Sequence, residues 1–154
     1  IILFLLITNF TFAQRIVDTR NKYKLEIKQN KEYNDCAVRM YAEAFDLQYN
    51  EALAITTKYG RKRGKGMKLG SLLKSLRDSY GNRFVYSGRV REGMNYWDFV
   101  REVVQNGFTY VVVLYDHAYV VEKENKGVEW YLKGNLGDRF KEIYAYIKIN
   151  NNKN

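Results

Sequence analysis

The feature that most limits the possible folds is a change of hydrophobic period near Asn106-Gly107. Upstream, apolar residues recur at helical spacing. Val38, Met40, Tyr41, Ala42 and Phe45 follow the capping pair Asn34-Asp35, and Ala52, Leu53 and Ile55 follow Asn50. Leu72, Leu73 and Leu76 make a third helix that ends near Gly81. Asn95 opens a fourth through Tyr96, Phe99, Val100, Val103 and Val104, stopped by Asn106-Gly107. Asn and Asp suit these starts because their side chains accept from otherwise unpaired first-turn amides. Downstream, Phe108–Tyr115, His117–Glu122, Val128–Lys133 and Phe140–Ile149 are β-branched and aromatic runs of strand length. Asp116, Asn125-Lys126-Gly127 and Gly134-Asn135-Leu136-Gly137 separate them as turns. Phe84-Val85-Tyr86 predicts one short earlier strand, and Tyr23, Leu25 and Ile27 alternate weakly within Arg15–Lys31, as in a short strand or extended arm. Helices first and an antiparallel sheet afterwards predict an α+β fold.

Residues 1–13 stand apart from this pattern. Ile1–Ala13 is uncharged and apolar and ends in Thr-Phe-Ala before Gln14, as a signal peptide cleaved near Ala13 would. With no Met at position 1 and no basic n-region, it reads as a truncated leader, and an exported, periplasmic or secreted location follows. The rest, Gln14–Asn154, is one domain's worth of chain, enough to bury about two-thirds of its unfolded surface. No later stretch approaches the roughly 20 apolar residues of a membrane helix. The sequence contains no proline, and it shows no internal repeat and no low-complexity tract. The two tryptophans, Trp97 and Trp130, and most tyrosines are expected in the core and on the sheet.

One cysteine and one histidine in the whole chain exclude an internal disulfide and a Cys/His zinc cage, so no metal and no cofactor are expected. Cys36 stands at the start of the first well-marked helix, where unpaired amides and the helix dipole stabilise a thiolate. His117 stands at the beginning of a strand, where a rigid backbone can hold an imidazole against that thiol. Such an imidazole accepts the thiol proton and returns it to a leaving amine. A third polar group must orient the imidazole, and Asn135, beside Gly134 at the end of the neighbouring strand, is the natural candidate. Each residue also has a plain structural reading: a buried thiol, an ordinary strand histidine, a turn-forming asparagine.

Asn-Asp-Cys-Ala-Val-Arg opening a helix resembles the papain-like cysteine peptidases of small bacterial and phage proteins, the C39-like group. The likeness continues through FDLQYNEA, KYGRKRGKG, FTYVVVLYDHAYVVEKENKGVEWYLKGN and the closing IYAYIKI, over most of Asn34–Ile149, with a weak middle between Ser71 and Met94. The resemblance implies helices packed on a C-terminal antiparallel sheet, with the nucleophile at the first helix start. It implies Cys36 as nucleophile, His117 as general base and acid, and Asn135 as the orienting residue. It also implies an oxyanion hole from the Cys36 amide and a side chain a few residues earlier, where Asn30 has the spacing. Asn at 30 in place of Gln and Asp116 in place of Gly depart from the family pattern.

Charge supplies the alternatives. The excess of 26 Lys and Arg over 17 Asp and Glu gives +9, a surface that favours polyanions unless it reflects only lysine-rich composition. Gly60–Gly70 concentrates Arg61, Lys62, Arg63, Lys65 and Lys68 among glycines without matching a P-loop. It reads as a solvated loop, as a flexible cover over the cleft, or as a polyanion contact. Three functions therefore compete. The first is a secreted cysteine hydrolase cutting a peptide or related amide bond in a peptide or protein substrate. The second is a catalytically silent papain-like binding module whose basic surface docks a polyanion or protein partner. The third is an unrelated nucleic-acid binder, which the absence of any nucleic-acid motif and the expected export disfavour.

Overall fold

A computed structural model describes residues 14–124, 127–132 and 139–151. Residues 1–13, expected above to be a leader, and Asn135 lie outside them. The elements run β1 (Gln14–Asp18), α1 (Thr19–Lys22), α2 (Lys24–Gln29), α3 (Cys36–Phe45), α4 (Tyr49–Lys58), α5 (Leu69–Tyr80), β2 (Phe84–Arg89), α6 (Tyr96–Glu102), β3 (Phe108–Val113), β4 (Ala118–Glu124), β5 (Gly127–Leu132) and β6 (Ala145–Asn150).

The strands form one sheet in the order β1-β5-β4-β3-β6-β2. Every neighbouring pair is antiparallel except β1 with β5 at one edge, which is parallel. The fold is α+β, mixed helix and largely antiparallel sheet, and the sheet is less purely C-terminal than expected because β1 and β2 join its edges.

Helices cover both faces, which explains why FTYVVV is an unbroken apolar run. Val111, Val120, Ile147 and Ile149 face one core together with Val38, Tyr41, Phe45 and Leu72 of α3 and α5. Tyr110, Val112, Tyr119 and Val121 face a second core with Tyr96 and Phe99 of α6. A strand buried on both faces has no polar side to show.

Several boundaries move, each for a physical reason. Arg15–Lys31 is a strand followed by two short helices, so Cys36 opens the third helix rather than the first. Tyr23 and Ile27 are buried while Leu25 is 64% exposed; the apparent alternation is a helical i, i+4 face with one outward residue between. α4 starts at Tyr49 rather than after Asn50, because the Gln48 amide donates to Glu51 at 2.9 Å, one half of a capping box. β3 stops at Val113, and His117 falls one residue before β4. Phe140–Tyr144 is not strand: the Ile143 amide donates to the Met94 carbonyl at 2.8 Å, away from the ladder. Trp97, expected inside, is 41% exposed.

Candidate functional site

The N-terminus of α3 is fixed by charge buried behind it. Asp35 occupies the cap position, yet its carboxylate makes no bond to the first-turn amides. It turns inward, accepting from Arg39 Nε at 3.0 Å and from the Tyr49 hydroxyl at 2.8 Å, and Arg39 Nη1 donates to Thr19 Oγ1 at 2.7 Å. The start of α3 is thereby tied to α1 and α4. Burial, followed by the bond to Asp35, pushes the Tyr49 hydroxyl well above its ordinary range, so it stays a donor. The first turn of α3 contains no acidic residue, and Asp35 leaves its leading amides without a side-chain cap.

His117 comes from the sheet. β3 and β4 pair up to Val113 and Ala118, and the Leu114 amide donates to the His117 carbonyl at 2.8 Å, closing the turn on which His117 stands. α3 packs directly on β3 and β4. This brings the helix start and the strand turn to the two sides of one cleft of about 500 Å³, lined by both Cys36 and His117. Cys36 is half-buried and has no disulfide. Asp116 is exposed and pairs with Lys141 at 3.3 Å.

The third wall is the glycine-rich loop, held by a buried ion pair. Arg61 Nη2 and Nη1 reach the two Glu32 oxygens at 2.7 and 3.2 Å, and Nη2 also donates to the Asn34 carbonyl at 3.1 Å. The Gly64 amide donates to Glu32 at 3.1 Å. Gly64 takes φ +66, and a Cβ there would collide with the Tyr33 ring; only glycine fits without displacing that ring. Burial pushes the Glu32 carboxyl upward, but the bonds from Arg61 and Gly64 outweigh it and hold the carboxyl below its ordinary range. The loop base is thus clamped to the segment just before Cys36, and Gly66, Met67 and Lys68 face the cleft.

The expected site residues therefore separate. Cys36 and His117 share the cleft. Asn30 does not line it: its amide donates to the Glu26 carbonyl at 2.9 Å and to Asn50 Oδ1 at 2.9 Å, and Asn34 stands at the cleft instead. Arg61 is not available to a polyanion, because it is buried against Glu32. Lys62, Arg63 and Lys65 are exposed. Tyr115, fully exposed, and Tyr144 were missed as cleft residues. The clue was a tyrosine immediately before Asp116-His117, in a turn where an aromatic finds no core.

Among the described residues no group of three or more His, Cys, Asp or Glu is gathered as a metal ion requires, and no helix is long and apolar enough to cross a membrane. No protein-family model, no curated protein and no solved structure matches the chain.

Proposed function

We propose that the chain is an exported cysteine hydrolase of papain-like type that cuts a peptide or related amide bond. The observation that carries this reading is that Cys36 and His117, the chain's single thiol and single imidazole, line the same cleft from different halves of the sequence. His117 takes the thiol proton, and Cys36 Sγ attacks the substrate carbonyl carbon. The oxyanion is stabilised by the Cys36 amide, the first of α3 and so without an intrahelical acceptor. Collapse breaks the C–N bond, His117 protonates the departing amine, and a thioester remains. Water, giving its proton to His117, hydrolyses the thioester and restores the thiol. The orienting role that the resemblance implies for Asn135 falls outside the described residues.

The test is cleavage of a mixed peptide pool by the chain, Cys36→Ser and His117→Ala. Each substitution should lower the rate by about a thousandfold or more while the thermal melt stays unchanged. Retained cleavage in Cys36→Ser would remove the reading. Peptide binding without any Cys36-dependent cleavage would instead establish the silent binding module.

A further inference from the structure

The walls of the Cys36 cleft differ in charge. On the loop side Lys68 is exposed and lines the cleft, and Lys62, Arg63 and Lys65 precede it on the same loop, all exposed. None of the four has a carboxylate within ion-pair distance among the described residues. Their backbone is clamped at Gly64 and Arg61, so these charges are presented from a fixed base rather than a wandering one. On the His117 side the cleft's own carboxylate, Asp116, is balanced by Lys141 at 3.3 Å. The cleft is lined also by the apolar Leu69, Leu72, Val113 and Leu114.

The cleft also continues. Tyr115 and Tyr144 border a second hollow of about 330 Å³, lined further by Arg89, Arg91, Glu92 and Glu142. There the signs are mixed: Arg91 pairs with Glu102 at 3.0 Å and Asp98 at 3.4 Å, Glu142 accepts from the Gly93 amide at 2.8 Å, and Arg89 lies 5.0 Å over the Tyr144 ring. Two adjoining hollows suit an extended chain better than a compact molecule. Charge of one sign gathers at the loop end of that path, whereas the second hollow holds Arg89 together with the carboxylates of Glu92 and Glu142.

We propose that the substrate is an extended acidic peptide, whose Asp or Glu side chains lie on one side of the scissile bond against Lys68 and the basic loop. This rests on the hydrolase reading above and names the substrate class for the same site. The physical basis is ordinary: a carboxylate entering this end finds cations that, among the described residues, have no ion-pair partner to give up.

The experiment identifies the products that the chain releases from a peptide pool, alongside Lys68→Glu and a variant carrying Lys62→Glu, Arg63→Glu and Lys65→Glu. These side chains are exposed, and Lys68 makes no capping hydrogen bond, so both variants should fold. Acidic residues should be enriched close to the cut and always on the same side of it. Lys68→Glu should lower kcat/KM for an acidic peptide by about tenfold more than for its Gln-substituted counterpart. Added salt should weaken the preference of the unsubstituted chain. Cys36-dependent cutting without acidic enrichment, or with enrichment intact in both variants, would overturn this inference and leave the hydrolase standing. No Cys36-dependent cutting of any peptide would overturn both. Heparin binding that the triple variant loses, with no acidic preference in cleavage, would make the loop a polyanion dock and overturn the proposal.

Discussion

Of the basic side chains between Arg61 and Lys68, Arg61 alone is buried. A buried charge is tolerable only when paired and hydrogen-bonded, and both Arg61 and Glu32 meet that condition. Removing one partner strands the other. Glu32→Gln should therefore lower stability near neutral pH by about 3 kcal/mol, read from the urea midpoint. Because the folded Glu32 carboxyl titrates below its ordinary value of 4.5, its contribution is present above that value and is lost as pH falls through the lower, folded one. The unsubstituted chain should thus weaken in that acid range, and Glu32→Gln should show a flatter acid limb. Equal acid limbs would mean that the Glu32 carboxyl titrates alike in the folded and unfolded chain, against the clamp. The sequence did not reveal this clamp. In a run of lysines and arginines the buried member carries no local mark, since its partner lies in another segment.

At the scale of elements, capping residues do two different jobs. Asn95 accepts from the Trp97 and Asp98 amides at 3.0 and 3.2 Å, and it caps α6 at the surface. Asp35 stands at the corresponding position of α3 but spends its carboxylate on Arg39 and Tyr49. Asn95→Ala should cost about 1 kcal/mol, the ordinary loss of a cap. Asp35→Ala leaves a buried guanidinium behind and should cost about 3 kcal/mol or more. Thermal melts of the two variants compare them directly, and equal losses would mean that Asp35 is only a cap. Helix starts at Asp35 and Asn95 were legible because capping chemistry is local. The two short helices α1 and α2 were not, because i, i+4 burial with one outward Leu25 mimics the alternation of a strand. The closing strand was read too long for a related reason. Ile143, Ala145, Ile147 and Ile149 are all buried at period two, yet the Ile143 amide bonds to Met94 outside the ladder.

At the scale of the molecule, the sheet brings together residues that the sequence keeps far apart. α3 lies on β3 and β4, so the start of a helix and the turn between two strands meet at one cleft. Cys36 and His117 were legible in advance because their rarity and their positions at element ends are sequence properties. The loop carrying Lys68 was read as one possible cover of the cleft, but Tyr115 and Tyr144 were not recognised as its walls, since which loops face each other is decided by tertiary packing. The claim at the centre of this account is that His117 acts on the Cys36 thiol. The rate of Cys36 alkylation by iodoacetamide as a function of pH, with and without His117→Ala, tests it most directly. The unsubstituted chain should react at about pH 6 within a few-fold of its rate at about pH 8, and His117→Ala should be about tenfold slower at the lower pH. If instead both proteins show the same profile, climbing about tenfold per pH unit as a lone thiol does below its pKa of about 8.5, the histidine does not act on the cysteine and the account fails.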